Sequence, residues 1–299
     1  MSLDKIWIKS VYKVSSEQKQ YLTYTLADAS TKSQVEVVPE RGGIVVSWQI
    51  DGQEVFYLDA ERFTHPDLSV RGGNPILFPL CGNLPNDTYN VDGQEYKIKQ
   101  HGFARELPWT VTAQSDREGA SLSVELSSND ATKAVYPFDF RVVYTYVLHG
   151  NTLEIQQDYQ NLSASPMPFY AGFHPYFLCG DKSQLEVQIP STSFNDNRTK
   201  QNFDFDGKFD FDQEEIDAVF RNLSSRTTGV SDRDRNLNIV IDYDDFYTCL
   251  VFWTVKGKDF YCLEPWSAGR NAMNTKENLT VIAPHSSCQA VVKISASFD

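Results

Sequence analysis

Two of the five histidines in this chain stand among aromatic residues and glycines: His101 in Gln100-His-Gly-Phe-Ala-Arg105 and His174 in Ala171-Gly-Phe-His-Pro-Tyr-Phe177. An imidazole in such a setting is either hydrogen-bonded as part of a core or lines a pocket where its near-neutral pKa can be used. Taken singly, each is well explained by burial. Glu264 sits in Tyr261-Cys-Leu-Glu-Pro-Trp266, where an apolar strand ends before a Pro-Trp step. Desolvation there raises the carboxyl pKa toward that of a useful base, unless an arginine such as Arg270 or Arg71 forms an ion pair with it. Arg71 lies beside Gly72 and Gly73 in Ser69-Val-Arg-Gly-Gly-Asn-Pro-Ile-Leu-Phe-Pro79, so backbone or a ligand could approach closely; the plainer reading is a tight turn with a solvated arginine. Trp109, Phe173, Tyr176 and Trp266 could stack on an apolar ligand face or simply fill the core. One carboxylate and two imidazoles are the groups of general acid–base chemistry.

The elements available to position these groups are strands. Short segments of alternating polarity recur between turn signals, and no long amphipathic helix stands out between residues 20 and 295. Phe140-Arg-Val-Val-Tyr-Thr-Tyr-Val-Leu148 and residues 152–159 flank Gly150-Asn151, which predicts a tight hairpin with Leu153, Ile155 and Tyr159 on one face. Asp51-Gly52 and Asp92-Gly93 predict type I′ turns, whose central residues take positive φ. Further strands are expected at 185–189, 237–241, 248–253, 260–263 and 290–295. Neither a linker nor a repeat is visible, so one domain covering residues 1–299 is the expectation. Residues 195–234, rich in Asp, Asn, Arg and Ser, read as long surface connections. Within them Asp204-Phe-Asp-Gly207 has the beginnings of a calcium loop, but a third oxygen ligand and the closing glutamate are missing.

With 41% hydrophobic and 13% aromatic residues the chain has ample material for a core. Its formal charge of -13 repels phosphate backbones and anionic lipid, which argues against nucleic acid and membrane as partners. A neutral small molecule suits the field better, although local arginines could gather a small anion such as a sugar phosphate. Residues 1–13 hold no apolar run long enough for a signal-peptide core, and no window approaches the roughly 20 apolar residues of a membrane span, so a cytoplasmic location is expected. Cys81, Cys179, Cys249, Cys262 and Cys288 are odd in number and widely spaced, which reads as buried free thiols rather than a disulfide frame or zinc site. Oligomeric state leaves no signal in the sequence.

Five motifs together carry a resemblance: Arg71-Gly-Gly-Asn-Pro-Ile-Leu-Phe-Pro79, His101-Gly-Phe-Ala-Arg105, Gly172-Phe-His-Pro-Tyr-Phe177, Ile216-Asp-Ala-Val-Phe220 and Cys262-Leu-Glu-Pro-Trp266. In this order, and over most of the chain, they resemble the galactose-mutarotase-like family, in the branch of glucose-6-phosphate 1-epimerases and lactose-operon-type aldose epimerases. The resemblance implies an all-β fold, a large antiparallel β super-sandwich with a sugar bound in a cleft on one sheet. It implies Glu264 as general base and His174 as general acid, His101 near the ring oxygen, and Arg71 and Asp217 holding sugar hydroxyls. The implied activity is that of an isomerase, an aldose 1-epimerase or mutarotase, which interconverts the α and β anomers of an aldohexose. The residue types agree with that chemistry: opening a pyranose needs a proton taken from the C1 hydroxyl and another delivered to the ring oxygen, by a carboxylate and an imidazolium. Neither metal nor redox cofactor is required. The motif forms around His101 and His174 are closer to the sugar-phosphate and lactose-operon branches than to the better-known galactose mutarotases. A hexose 6-phosphate is therefore the nearest alternative substrate, with Arg105 and Arg270 as candidate phosphate ligands. A non-catalytic carbohydrate-binding β-sandwich is the reading of another class, and a glycoside hydrolase would need a second carboxylate across the scissile bond.

Overall fold

Period-two alternation runs the full length of Phe140–His149 and Thr152–Asn161, whose turn falls at Gly150-Asn151 as expected. The computed structural model describes residues 11–298, so most of the 1–13 segment lies outside the described residues. One eight-stranded sheet runs Leu185–Gln188, Thr227–Asp232, Leu237–Tyr243, Ser287–Phe298, Thr152–Asn161, Phe140–His149, Ala120–Ser127, Thr110–Ser115. A second runs Asn202–Asp204, Ser193–Asp196, Glu215–Phe220, Cys249–Val255, Phe260–Trp266, Gly172–Phe173, Ile76–Leu77, with Tyr176–Leu178 also paired to Phe260–Trp266. Both are antiparallel. Residues between Tyr12 and Glu54 add a five-stranded sheet. This is the all-β super-sandwich. The Asp51-Gly52 and Asp92-Gly93 turns have positive φ at both positions, as their chemistry predicts. Among the described residues the longest helix is Asp130–Val135, and none is long and apolar enough to cross a membrane.

The core is aromatic. The Phe78 ring meets Phe103, Tyr136, Phe140, Tyr159 and Phe169 at centroid distances of 5.2–6.1 Å. Buried phenols find partners within it: Tyr144 and Tyr159 hydroxyls meet at 2.6 Å, and Tyr247 donates to Gln157 Oε1 at 2.6 Å. Trp109 belongs here rather than to a ligand site. Its Nε1 donates to Ala104 O at 2.9 Å, and its ring lies edge-on to Tyr144. Phe173 also points into the core, 5.7 Å from Tyr144, because strand alternation sends it opposite to its neighbours Gly172 and His174.

Two expectations about strands are corrected. Residues 195–234 contain Glu215–Phe220 and Thr227–Asp232, and the first is an interior strand that carries Asp217. Acidic residues on one face made it look like loop. The Phe260 strand does not stop at Leu263 but continues through Pro265 to Trp266. A proline is tolerated there because the ladder on one side is interrupted at that point.

Candidate active site

Glu264 lies on Phe260–Trp266, a strand buried along its whole length, with Val251 of Cys249–Val255 opposite it on one side. On the other side two short strands keep one register: Gly172 faces Trp266 and Tyr176 faces Cys262. The residue that faces Glu264 in that register is His174. Pro175 and Pro265 flank the position and have no N–H to give, so the ladder opens there, and the His174 backbone N–H donates to Pro75 O at 3.3 Å instead. Directly opposed residues of an antiparallel pair have Cβ atoms roughly 4.5–5.5 Å apart on one face. Sheet pairing therefore brings imidazole and carboxylate together, and His174 Nε2 is 3.5 Å from Glu264 Oε1.

The same rows continue outward. Asp217 is opposite Trp253, and Trp253 opposite Cys262. Asp217, Trp253, Glu264, Trp266, His174 and Tyr176 thus line one wall of a cavity of about 350 Å³, to which short helical turns add Arg62 and Arg105 and loops add Arg71, His101 and Arg270. Glu264, His174, Arg71, His101, Asp217, Arg105 and Arg270, the seven candidate site residues, all line it. A wider cleft of about 880 Å³ lies between residues 180–188 and 206–212, but its lining has no histidine or cysteine and interleaves Asp with Lys. The smaller cavity, which holds the acid–base pair, is the candidate site.

Glu264 is 1% exposed, and Oε2 accepts a hydrogen bond from Trp266 Nε1 at 3.1 Å. Burial, reinforced by the charge of Asp217, pushes its carboxyl well above the usual carboxylate range. The arginine partner considered for it is engaged elsewhere: Arg270 Nη2 lies 3.0 Å from Asp217 Oδ2, and its guanidinium sits 5.3 Å over the Trp266 ring. His174 stacks on Tyr176 at 4.6 Å. Burial first, then the charge of Arg105, brings its pKa down to about 3. Burial thus disfavours the charged form of both groups, favouring the proton on the Glu264 carboxyl over the His174 imidazole. A standing imidazolium is disfavoured because water cannot solvate it there.

His101 adopts φ 68° and accepts the Gly82 N–H on Nδ1 at 3.0 Å. A neutral ring that accepts on Nδ1 carries its proton on Nε2, so His101 is a hydrogen-bond donor. Burial, with Arg105 nearby, keeps it neutral. Gly102 follows at φ 69°, and a Cβ there would lie 2.2 Å from the Phe78 carbonyl oxygen. Gly102→Ala is expected to destabilise the protein by about 2–4 kcal/mol and displace His101, read as a fall in urea midpoint with unchanged m-value.

Three arginines stay free of buried carboxylates. Arg62 Nε donates to Ser69 O at 3.3 Å, and the Arg71 side chain is exposed. Arg105 Nη2 donates to Gln100 O at 3.3 Å, while its buried Nε has no hydrogen-bond partner and lies 4.0 Å from Glu106. Sequence reasoning missed Arg62 and also Asn197, whose amide donates to Asp217 Oδ1 at 2.9 Å. An asparagine in an Asp-rich turn gives no signal beyond the turn itself.

A super-sandwich with a buried carboxylate and imidazole facing each other on one sheet face, in a small polar cavity, has the groups of an acid–base carbohydrate isomerase. Comparison with known proteins names the family. The family model described as aldose 1-epimerase matches residues 23–294, and the chain belongs to that family. Slr1438 protein from Synechocystis sp. PCC 6803 is 44% identical, covering 96% of this chain and 100% of that one, with a TM-score of 0.92. Protein LacX (plasmid) of Lactococcus lactis subsp. lactis is 26% identical over 305 residues, 89% of this chain and 94% of LacX. A galactose mutarotase-like protein from Clostridium acetobutylicum, 20% identical over 96% of this chain and 99% of its own, shares the fold with a TM-score of 0.82.

Proposed function

We propose that this chain equilibrates the α and β anomers of an aldohexose, with Glu264 and His174 as the catalytic pair. The observation that carries the reading is their 3.5 Å contact on the wall of the cavity. On sugar binding the shared proton crosses to His174. Glu264 then takes the C1 hydroxyl proton while His174 gives its own to the ring oxygen; the C1–O bond breaks and an aldehyde forms. Rotation about C1–C2 presents the other carbonyl face, and the two groups exchange roles as the ring closes. The open-chain sugar is thus accompanied by protonated Glu264 and neutral His174, the same protonation state that burial favours in the empty site. His101 donates from Nε2 beside the ring oxygen, and Arg71, Asp217 and Arg270 hold hydroxyls.

Following the anomeric NMR signals of freshly dissolved α-glucose with and without protein tests the reading, with faster equilibration expected. If the sugar binds and its equilibration is not accelerated, the chain is a carbohydrate-binding protein instead. Asp217→Asn should raise KM about tenfold, the loss of one charged hydrogen bond. It should also move the alkaline limb of the pH profile down, because it removes the like charge beside Glu264 and frees Arg270 to face it.

One observation favours a second substrate, a hexose 6-phosphate. Arg62, Arg71 and Arg105 lie on the cavity with no buried carboxylate to neutralise them, and Arg105 Nε is unpartnered. Arg270, a candidate phosphate ligand from sequence, is committed to Asp217, so Arg62 and Arg71 take its place beside Arg105. The same NMR experiment with glucose 6-phosphate separates the two by their kcat/KM values. The five cysteines are unpaired, four of them buried and Cys288 half-buried, which supports a reducing compartment, the cytoplasm.

A further inference from the structure

Cys262 takes no part in these proton transfers, yet it stands two residues from Glu264 on the same face of its strand, with Tyr176 opposite. Its sulfur, a ring nitrogen of His174 and a carboxylate oxygen of Glu264 lie within 4.8 Å of one another, the one such convergence of three groups among the described residues. All three residues are buried, the His174 side chain being 10% exposed. Nitrogen, thiolate and carboxylate are the ligands of zinc. Bonds of about 2.0–2.3 Å in a tetrahedron set ligand atoms roughly 3.5 Å apart, and His174 Nε2 and Glu264 Oε1 are already 3.5 Å apart. Both residues line the cavity, so the fourth position opens to water or a sugar hydroxyl.

We infer that His174, Cys262 and Glu264 form a site for a borderline-soft divalent cation such as Zn²⁺, and that its occupancy switches anomer exchange off. Coordination uses the imidazole and carboxylate lone pairs that must carry protons. The thiol proton and the proton of the pair pass to solvent as the cation enters, so charge stays balanced. Hard cations that require six or more oxygen ligands do not fit this set. The cation site stands on geometry alone; the inhibition rests on the function proposed above.

The test titrates the intact chain with Co²⁺ as optical probe and with Zn²⁺ in the anomer assay. A thiolate-to-cobalt absorption band should appear and be displaced by Zn²⁺. Zn²⁺ should inhibit reversibly on adding a chelator, while Mg²⁺ leaves the rate unchanged. Cys262→Ser should keep its rate within about threefold, lose the band, and need about tenfold or more Zn²⁺ for half-inhibition. Cys288→Ser, which alters the half-buried thiol, should change neither readout. A band that survives Cys262→Ser, a band lost in Cys288→Ser, or equal Zn²⁺ sensitivity of wild type and Cys262→Ser overturns the inference. If Cys262→Ser does not fold, the band in Cys288→Ser decides, since the other thiols lack this ligand set. The cobalt band needs no turnover, so its presence in a chain without epimerase activity would keep the site and remove the proposed reaction.

Discussion

Glu264→Gln is expected to lower kcat for anomer exchange by about 10²–10⁴-fold and to leave KM within about threefold. Glutamine has the shape of the protonated carboxyl and keeps an oxygen for the Trp266 Nε1 hydrogen bond, but it carries no transferable proton. Stability should respond in the opposite direction. A group whose folded pKa is raised contributes stability that is present below its unfolded value and is lost as pH rises through the folded one. Glu264 is such a group, so the glutamine variant should melt at the same or a higher temperature, with the difference growing toward alkaline pH. A variant that loses activity and melts earlier at every pH would mark Glu264 as a structural residue.

His174→Asn should cost about as much, roughly 10²–10⁴-fold in kcat, and the double variant little more, because the two groups act as one proton carrier. The pH profile adds a sharper expectation. With His174 brought down to about 3, kcat/KM should show no histidine titration between about pH 7 and pH 5. A break near 6.5, the ordinary histidine value, would mean a conventional imidazolium and defeat the one-proton account. Stability follows the depressed pKa: the contribution of His174 is whole above the unfolded value of 6.5 and is lost as pH falls toward about 3. At about 1.4 kcal/mol per unit, wild type should lose roughly 2–3 kcal/mol more than His174→Asn between about pH 6.5 and 4.5, by urea denaturation.

The sheets were legible because alternation and turn chemistry act locally. Gly150-Asn151, Asp51-Gly52 and Asp92-Gly93 fall where their sequences put them. Glu215–Phe220 was not legible as a strand, since the polar face that made it look like loop is turned toward a cavity formed by distant segments. The ordered motifs picked out Glu264, His174, His101 and Asp217, but their mutual arrangement depends on strand register. Nothing in the chain near residue 174 announces that Glu264 will face it. Pairing of Arg270 with Asp217 rather than Glu264, the support from Asn197, and the retreat of Trp109 and Phe173 into the core all depend on side-chain direction across elements. Local sequence does not encode that direction. The resting protonation state was not legible for a related reason: motif reading supplies residue type, whereas the lowered pKa of the histidine comes from burial in the finished fold.

Glu264 is seated in a paired sheet strand and His174 between two short strands that keep its register, whereas Arg62 and Arg105 come from single-turn helices and Arg71 from a loop at the cavity edge. Reaction and selectivity are thereby built from parts that can be inherited separately. Loop sequence can drift, lengthen or change charge without disturbing strand register, so a lineage can exchange one sugar for another while the proton chemistry is conserved. The reverse is costly: any change that slips Phe260–Trp266 by one residue turns the carboxylate away from the cavity and abolishes the reaction for every substrate at once.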